Sequence, residues 1–172
     1  MKVVGITPIK NESPFIESFA SSLSKVCDKI IVLDDNSTDD STTLLKKYNK
    51  VNIVNFEDDN NWGSKRGYLF NMARDYGATH IVALDADEAF TANAIENFDI
   101  ITSAIKEGQR CTLHWLPMWK SLYDYRNDNS VWSNSYKDFV ICDDGKMNYN
   151  GNWIHEPRLP IVTPTKQIGS SV

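Results

Sequence analysis

Four short apolar runs constrain this chain more than anything else in it: Val3 to Ile9, Lys29 to Leu33, Val51 to Phe56 and Ile81 to Leu84. Each is separated from the next by a stretch with helical periodicity. Apolar runs of that length, rich in β-branched residues, read as strands, and strands alternating with helices read as βαβ units. Units of this kind build an α/β fold, a mostly parallel sheet with helices on both faces. In such sheets a ligand binds outside the carboxyl ends of the strands. The residues just beyond each run therefore carry the functional question.

Two of those positions are acidic. Lys29 to Leu33 runs into Asp34-Asp35, followed by the turn-forming Asn36-Ser37-Thr38-Asp39; Thr79 to Phe90, THIVALDADEAF, runs into Asp85, Asp87 and Glu88. In an extended backbone Asp85 and Asp87 point the same way and Glu88 the other. Two like charges so close repel unless a cation lies between them. A hard divalent ion answers that need, and Mg²⁺ binds through one or two carboxylates plus substrate phosphates. Taken alone, the Asp-x-Asp serves equally as an acidic turn before a helix that begins near Thr91.

The intervening helices can be sketched from their apolar spacing. Ser13 is placed to cap the first and Pro14 to occupy its first position, with Phe15, Phe19, Leu23 and Val26 as its stripe and Ile16 and Ala20 widening it. A second runs from about Asp39 to Tyr48. A third spans Ser64 to Tyr76, turns Leu69, Phe70, Ala73 and Tyr76 inward, and stops at Gly77. After Thr91, Ile95, Phe98, Ile101 and Ile105 predict one helix ending at Gly108. Beyond it, Cys111 to Trp119 and Lys137 to Cys142 read as strands, Asp143-Asp144-Gly145 as a hairpin turn, and the polar Thr163 to Val172 as a fraying end.

At 172 residues the chain has the length of one domain. Lys plus Arg number 18 and Asp plus Glu 23, a balance of −5 with no basic run, which argues against a nucleic-acid partner. The cysteines, Cys27, Cys111 and Cys142, are odd in number and lack CxxC spacing, against both a disulfide framework and a zinc cluster. No stretch approaches the roughly 20 apolar residues of a transmembrane segment.

These motifs, in this order, resemble the family 2 nucleotide-diphospho-sugar glycosyltransferases of GT-A fold. The matching features are a first strand followed by Asn11-Glu12, the DDNSTD of Asp34 to Asp39, the helix-start pair Lys65-Arg66, and a strand ending in Asp85 and Asp87. The likeness covers roughly the first 95 residues, far more than any one motif. It implies a single GT-A domain, with 1–95 as the nucleotide-sugar-binding half and 96–160 as an acceptor half that looks abbreviated.

The resemblance also implies roles. Thr7, Pro8, Glu12, Asp34 and Asp35 would hold the donor, with one of the two aspartates taking a base N–H or ribose hydroxyl. Lys65 or Arg66 would meet the diphosphate or base while the other faces solvent. Asp87 would contact Mn²⁺ or Mg²⁺ directly, with Asp85 nearer the ribose and the ion's water shell, and His155 as a further metal ligand. Inversion at the sugar needs a carboxylate base for the acceptor hydroxyl; of Asp124, Asp128, Asp138, Asp143, Asp144 and Glu156, the likeness favours Glu156. The implied partners are a nucleotide-sugar donor, UDP-linked first, and a glycan or lipid-linked acceptor. The scattered, odd-numbered cysteines fit a reducing compartment, so the expected location is cytoplasmic, including the inner face of the membrane.

Trp115, Trp119, Tyr123, Tyr125, Trp132 and Tyr136 serve either as core or as acceptor-stacking faces. Two competing classes stay in view. A sugar nucleotidyltransferase would carry a glycine-rich basic loop after the first strand, where this chain has TPIKNES without glycine. A non-catalytic nucleotide-binding relative would retain the carboxylates without turning over a donor.

Overall fold

The computed structural model describes residues 1–56, 61–121, 124–128, 130–149, 157–160 and 165–167. Its seven strands are β1 (Val3–Ile9), β2 (Lys29–Asp34), β3 (Val51–Asn55), β4 (His80–Ala83), β5 (Arg110–Trp115), β6 (Ser135–Cys142) and β7 (Thr165–Gln167), in one sheet of order β3-β2-β1-β4-β6-β5-β7. β1 pairs in parallel with both β2 and β4, and β2 with β3. β6 is antiparallel to β4 and β5, and β7 is parallel to β5. The mostly parallel α/β sheet expected from the alternation is the one found.

The strands separate their side chains onto two faces. Val3, Ile9, Ile30, Val32, Val82 and Leu84 pack in one apolar cluster, and Val4, Ile6, Ile31, Leu33, Ile81 and Ala83 in the other. Continuous apolar runs are needed because both faces are covered. Helices α1 (Ile16–Val26), α2 (Ser41–Leu45), α4 (Ala92–Glu96) and α5 (Phe98–Ser103) supply residues such as Phe19, Leu45, Ala94 and Phe98 to the first cluster; α3 (Trp62–Asp75) supplies Leu69, Phe70 and Ala73 to the second. Each fully buried Leu, Ile or Phe contributes about 1.5–3 kcal/mol. Helix α1 lies so close over β1 that a Cβ on Gly5 would stand 3.2 Å from Cys27 Sγ and 3.3 Å from Leu23 Cδ1.

Several local expectations are corrected. Helix α1 starts at Ile16, not Pro14: Glu12 O accepts from Phe15 N (2.9 Å) and Ile16 N (3.2 Å) in a preceding turn, no side chain caps the helix, and Phe15 is 46% exposed. Helix α2 is only Ser41–Leu45. Helix α3 begins earlier than expected, because Asn61 Oδ1 accepts from Gly63 N and Ser64 N and so caps it. Gly77, at φ +86, ends it as expected, but Tyr76 is exposed beneath the Lys2 ammonium.

The single helix expected after Thr91 is two short ones. They meet at Asn97, whose backbone leaves the helical region at φ −99, ψ 10. No described strand pairs across Asp143–Gly145 as a hairpin would; the Asp144 carboxylate instead accepts from Lys146 N and Met147 N. Asp143 accepts a two-point bond from Arg74. Thr165–Gln167, expected to fray, forms β7. The three cysteines are free and buried. No described helix is long and apolar enough to cross a membrane.

Candidate active site

The candidate site lies at the carboxyl ends of β1, β2 and β4. The loops after β1 and β2 are laced together: Asn11 N donates to Ser37 Oγ, Thr38 N to Asn11 Oδ1 (2.7 Å), Glu12 N to Ser41 Oγ (2.8 Å) and Ser13 N to Asp39 Oδ2 (2.9 Å). Asn11 and Asn36 take up left-handed conformations, at φ 57 and 58, to make the two turns. Asparagine tolerates that region better than other non-glycine residues. The Asp39 carboxyl, bonded by Ser41 Oγ and by the backbone N–H groups of Ser13 and Ser41, is held well below the ordinary carboxylate range. The DDNSTD stretch thus spends Asp39 on architecture.

Thr7 and Pro8 are buried in β1. β1 pairs with β4 only from Val3 to Ile6, so Pro8 lies where the ladder on that side has ended. Asp34 Oδ1 accepts from Ser37 N. Asp35 is enclosed by two cations: Lys65 Nζ is 2.6 Å from its Oδ1 and Lys10 Nζ 3.3 Å from its Oδ2. The hydrogen bond from Lys65 holds the Asp35 carboxyl below its usual range, against its burial. Lys65, which projects from the first turns of α3, is 1% exposed and lies against the Trp62 ring.

After β4 the chain does not stay extended. Glu88 N donates to Asp85 O in a tight turn, and Asp85 N donates to Glu88 Oε2. The expectation that Asp85 and Asp87 share one side of a strand while Glu88 faces away is therefore corrected: the strand ends at Ala83 and the carboxylates sit on a turn. Asp85 and Glu88 are paired. Arg66 Nη2 donates to Asp85 Oδ1 (2.7 Å), Arg158 Nη2 to Asp85 Oδ2 (2.9 Å), Arg158 Nη1 to Glu88 Oε2, and Lys137 Nζ to Glu88 Oε1 (3.0 Å). Burial raises the Asp85 pKa, but Arg158 and Arg66 outweigh it and hold the carboxyl below its usual range.

Asp87 stands differently. Burial, Glu88 and Asp85 all push its pKa up, and no ion pair reaches it among the described residues. Glu12, across the edge, is raised by burial and then by Asp87, Asp39 and Asp85. Lys137 opposes the rise at Asp87 only at a distance, and a carboxylate pressed by its neighbours with no direct ion pair among the described residues is one that a hard divalent ion could meet. Among the described residues no three His, Cys, Asp or Glu side chains converge to make a complete metal cage. A divalent cation at Asp87 would therefore need further ligands, such as phosphate oxygens and water, from outside these side chains.

The sequence-predicted residues Thr7, Pro8, Glu12, Asp34, Asp35, Lys65, Arg66, Asp85 and Asp87 are gathered on this edge. His155, Glu156 and Tyr123 lie outside the described residues. The expected division of Lys65 and Arg66 into one ligand-facing and one solvent-facing residue is corrected, since their side chains are 1% and 12% exposed and each is ion-paired. Of the aromatic stretch, Trp119, Tyr125 and Trp132 are exposed rather than core. Sequence reasoning missed Arg158, Lys137 and the pairing of Glu88. Arg158 lies between Pro157 and Leu159-Pro160, and a cation in so apolar a bracket is either exposed or paired; its spacing names no partner.

Residues 6–99, more than half of the chain, match the sequence model described as Glycosyl transferase family 2. A comparison with curated proteins gives no match. Among solved structures, S. aureus TarS 1-349 in complex with UDP-GlcNAc aligns at TM-score 0.54 and 20% identity, over 66% of this chain and 34% of that one. Glucosyl-3-phosphoglycerate synthase from Mycobacterium tuberculosis in complex with UDP aligns at TM-score 0.50 and 20% identity, over 66% and 45%. The chain spans less than half the length of either, and at such identity what is shared is the fold. By its sequence and its GT-A architecture, the chain belongs to glycosyl transferase family 2.

Proposed function

We propose that the chain is a metal-dependent, inverting glycosyltransferase of hexosyltransferase type. It would move a sugar from a nucleotide-diphosphate donor, UDP-linked first, to a hydroxyl of a glycan or lipid-linked acceptor in polysaccharide or glycolipid assembly. A cytoplasmic location, including the inner face of the membrane, belongs to the same proposal. The observation that supports it most is Asp87: an exposed carboxylate with no ion-pair partner among the described residues, on the sheet edge that also carries Asp34, Asp35, Lys65 and Arg66.

The roles follow from what each group has free. Asp34 uses one oxygen on Ser37 N and keeps the other for a base N–H or ribose hydroxyl. Asp35 has an oxygen on each of two lysines and serves to hold Lys65 and Lys10 at the edge. Thr7 and Pro8 form the floor and Glu12 the rim. Asp87 would hold Mg²⁺ or Mn²⁺, with His155 proposed as a further ligand. When bound, such an ion offsets the charge that grows on the departing nucleoside diphosphate. Arg66 stands beside the same position as a fixed cation. Glu156 is proposed to take the proton from the acceptor hydroxyl as it attacks.

The test is calorimetric titration of UDP, then GDP, with and without Mn²⁺, on this protein and on Asp87→Ala, followed by assay of UDP-sugar hydrolysis. Metal-dependent UDP binding that Asp87→Ala loses, with slow hydrolysis, supports the reading. Binding without any hydrolysis or transfer would make the chain a non-catalytic nucleotide binder. No nucleotide binding under any metal condition would overturn it.

A further inference from the structure

The late segment reaches the turn after β4 through one side chain. Arg158 is 10% exposed, lies 5.1 Å from the centroid of the Phe139 ring, and divides its guanidinium between two carboxylates of that turn: Nη2 to Asp85 Oδ2 at 2.9 Å and to Glu88 Oε1 at 3.2 Å, and Nη1 to Glu88 Oε2. Its neighbour Leu159 is buried in the apolar cluster beneath α3, which anchors the segment from the other side. Arg66 from α3 takes the remaining oxygen of Asp85, and Lys137 from β6 takes Glu88. Three cations from three separate parts of the chain therefore grip a four-residue turn through its carboxylates Asp85 and Glu88, while Asp87 between them feels Lys137 and Arg158 only at longer range and forms no ion pair among the described residues.

From this arrangement, and resting on the donor-site reading above, we propose that Arg158 is a positioning residue. It clamps Asp85 and Glu88 so that Asp87 is the one carboxylate of the turn presented to a divalent cation, and so couples residues more than 70 positions away to the metal-dependent part of nucleotide binding. The physical basis is the fork of the guanidinium, which can bond two carboxylates at once in a fixed plane; an ammonium at the same place is a point charge and can hold only one well. Without the clamp, Asp85 and Glu88 compete with Asp87 for the cation, and the turn loses the support that fixes where Asp87 points.

The test measures UDP affinity by calorimetry with and without Mn²⁺ in the parent protein, Arg158→Met, Arg158→Lys and Arg74→Met. The last breaks another ion pair, the bidentate Arg74–Asp143 contact at the far end of α3, and serves as a control for general loosening. The expected result for Arg158→Met is a metal-free UDP affinity within about twofold of the parent. Its gain on adding Mn²⁺ should shrink at least tenfold, Arg158→Lys should be intermediate, and Arg74→Met should resemble the parent. Should Arg158→Met fail to fold, Arg158→Lys carries the test, with a reduced Mn²⁺ gain at unchanged metal-free affinity expected.

An undiminished Mn²⁺ gain in a folded Arg158 variant overturns the inference, as does an equal loss in Arg74→Met or a parallel loss of metal-free binding. A parent protein that binds no nucleotide overturns the donor-site reading, and the inference with it. A parent that binds while the Arg158 variants keep the full gain overturns the inference alone.

Discussion

Lys65 Nζ lies 2.6 Å from Asp35 Oδ1, and the lysine side chain is 1% exposed, so an ammonium projecting from α3 is buried against the carboxylate that follows β2. The pair ties the helix that carries Arg66 to the strand end that carries Asp34. Removing one partner of a buried pair costs more than the pair contributes, because the other charge is left behind.

Lys65→Met is therefore expected to lower unfolding stability by about 3 kcal/mol, with Lys10 only partly compensating because its side chain is half exposed. The double variant Lys65→Met/Asp35→Asn, which leaves no buried charge, should be more stable than Lys65→Met alone. Urea denaturation of both checks this; strictly additive losses would refute the coupling.

The two aspartates of the DAD stretch should respond in opposite directions. Asp85→Asn removes the charge that Arg66 and Arg158 share and is expected to cost about 1–3 kcal/mol. Asp87→Asn relieves a carboxylate that its neighbours oppose, so its Tm should equal or exceed the parent's while metal-dependent UDP binding is lost. Thermal unfolding beside calorimetry separates the two; a clear fall in Tm for Asp87→Asn would contradict the account.

His80 gives the fold a pH dependence of known sign. It is 8% exposed, with Nε2 3.2 Å from Thr102 O, and burial lowers its pKa although the Thr102 carbonyl opposes the shift. The unfolded chain thus takes up the imidazole proton at a higher pH than the folded one. This contribution is level above the ordinary histidine value of about 6.5, and stability falls as pH drops below it. His80→Gln should flatten the difference in urea midpoint between pH 7.5 and 5.5 (roughly one unit either side of that value).

Gly5 is held to glycine by packing rather than by its backbone angles. A side chain there would press on Cys27 and Leu23. Gly5→Val is expected to cost about 1–3 kcal/mol by overpacking. A parent-like urea midpoint would show that α1 can lift off β1 without cost.

What the sequence determined by itself is the part written in local period and order. Uninterrupted apolar runs such as Ile30–Leu33 specify strands buried on two faces, and the carboxylates at their ends fall on one edge because parallel strands all finish there. That is enough for the parallel strands β1 to β4, for both acidic loops, and for the family. Local pattern could not say that Asp85–Glu88 would leave the strand for a turn, that Lys65 would be buried with Asp35, or that one helical stripe would break at Asn97. The Lys65–Asp35 pair, and the cations that hold the Asp85–Glu88 turn, depend on parts of the chain far apart in sequence. Arg158 shows why: its carboxylates are 70 and 73 residues distant, and no spacing in the sequence encodes a contact that exists only once β4, β6 and the late segment are packed side by side.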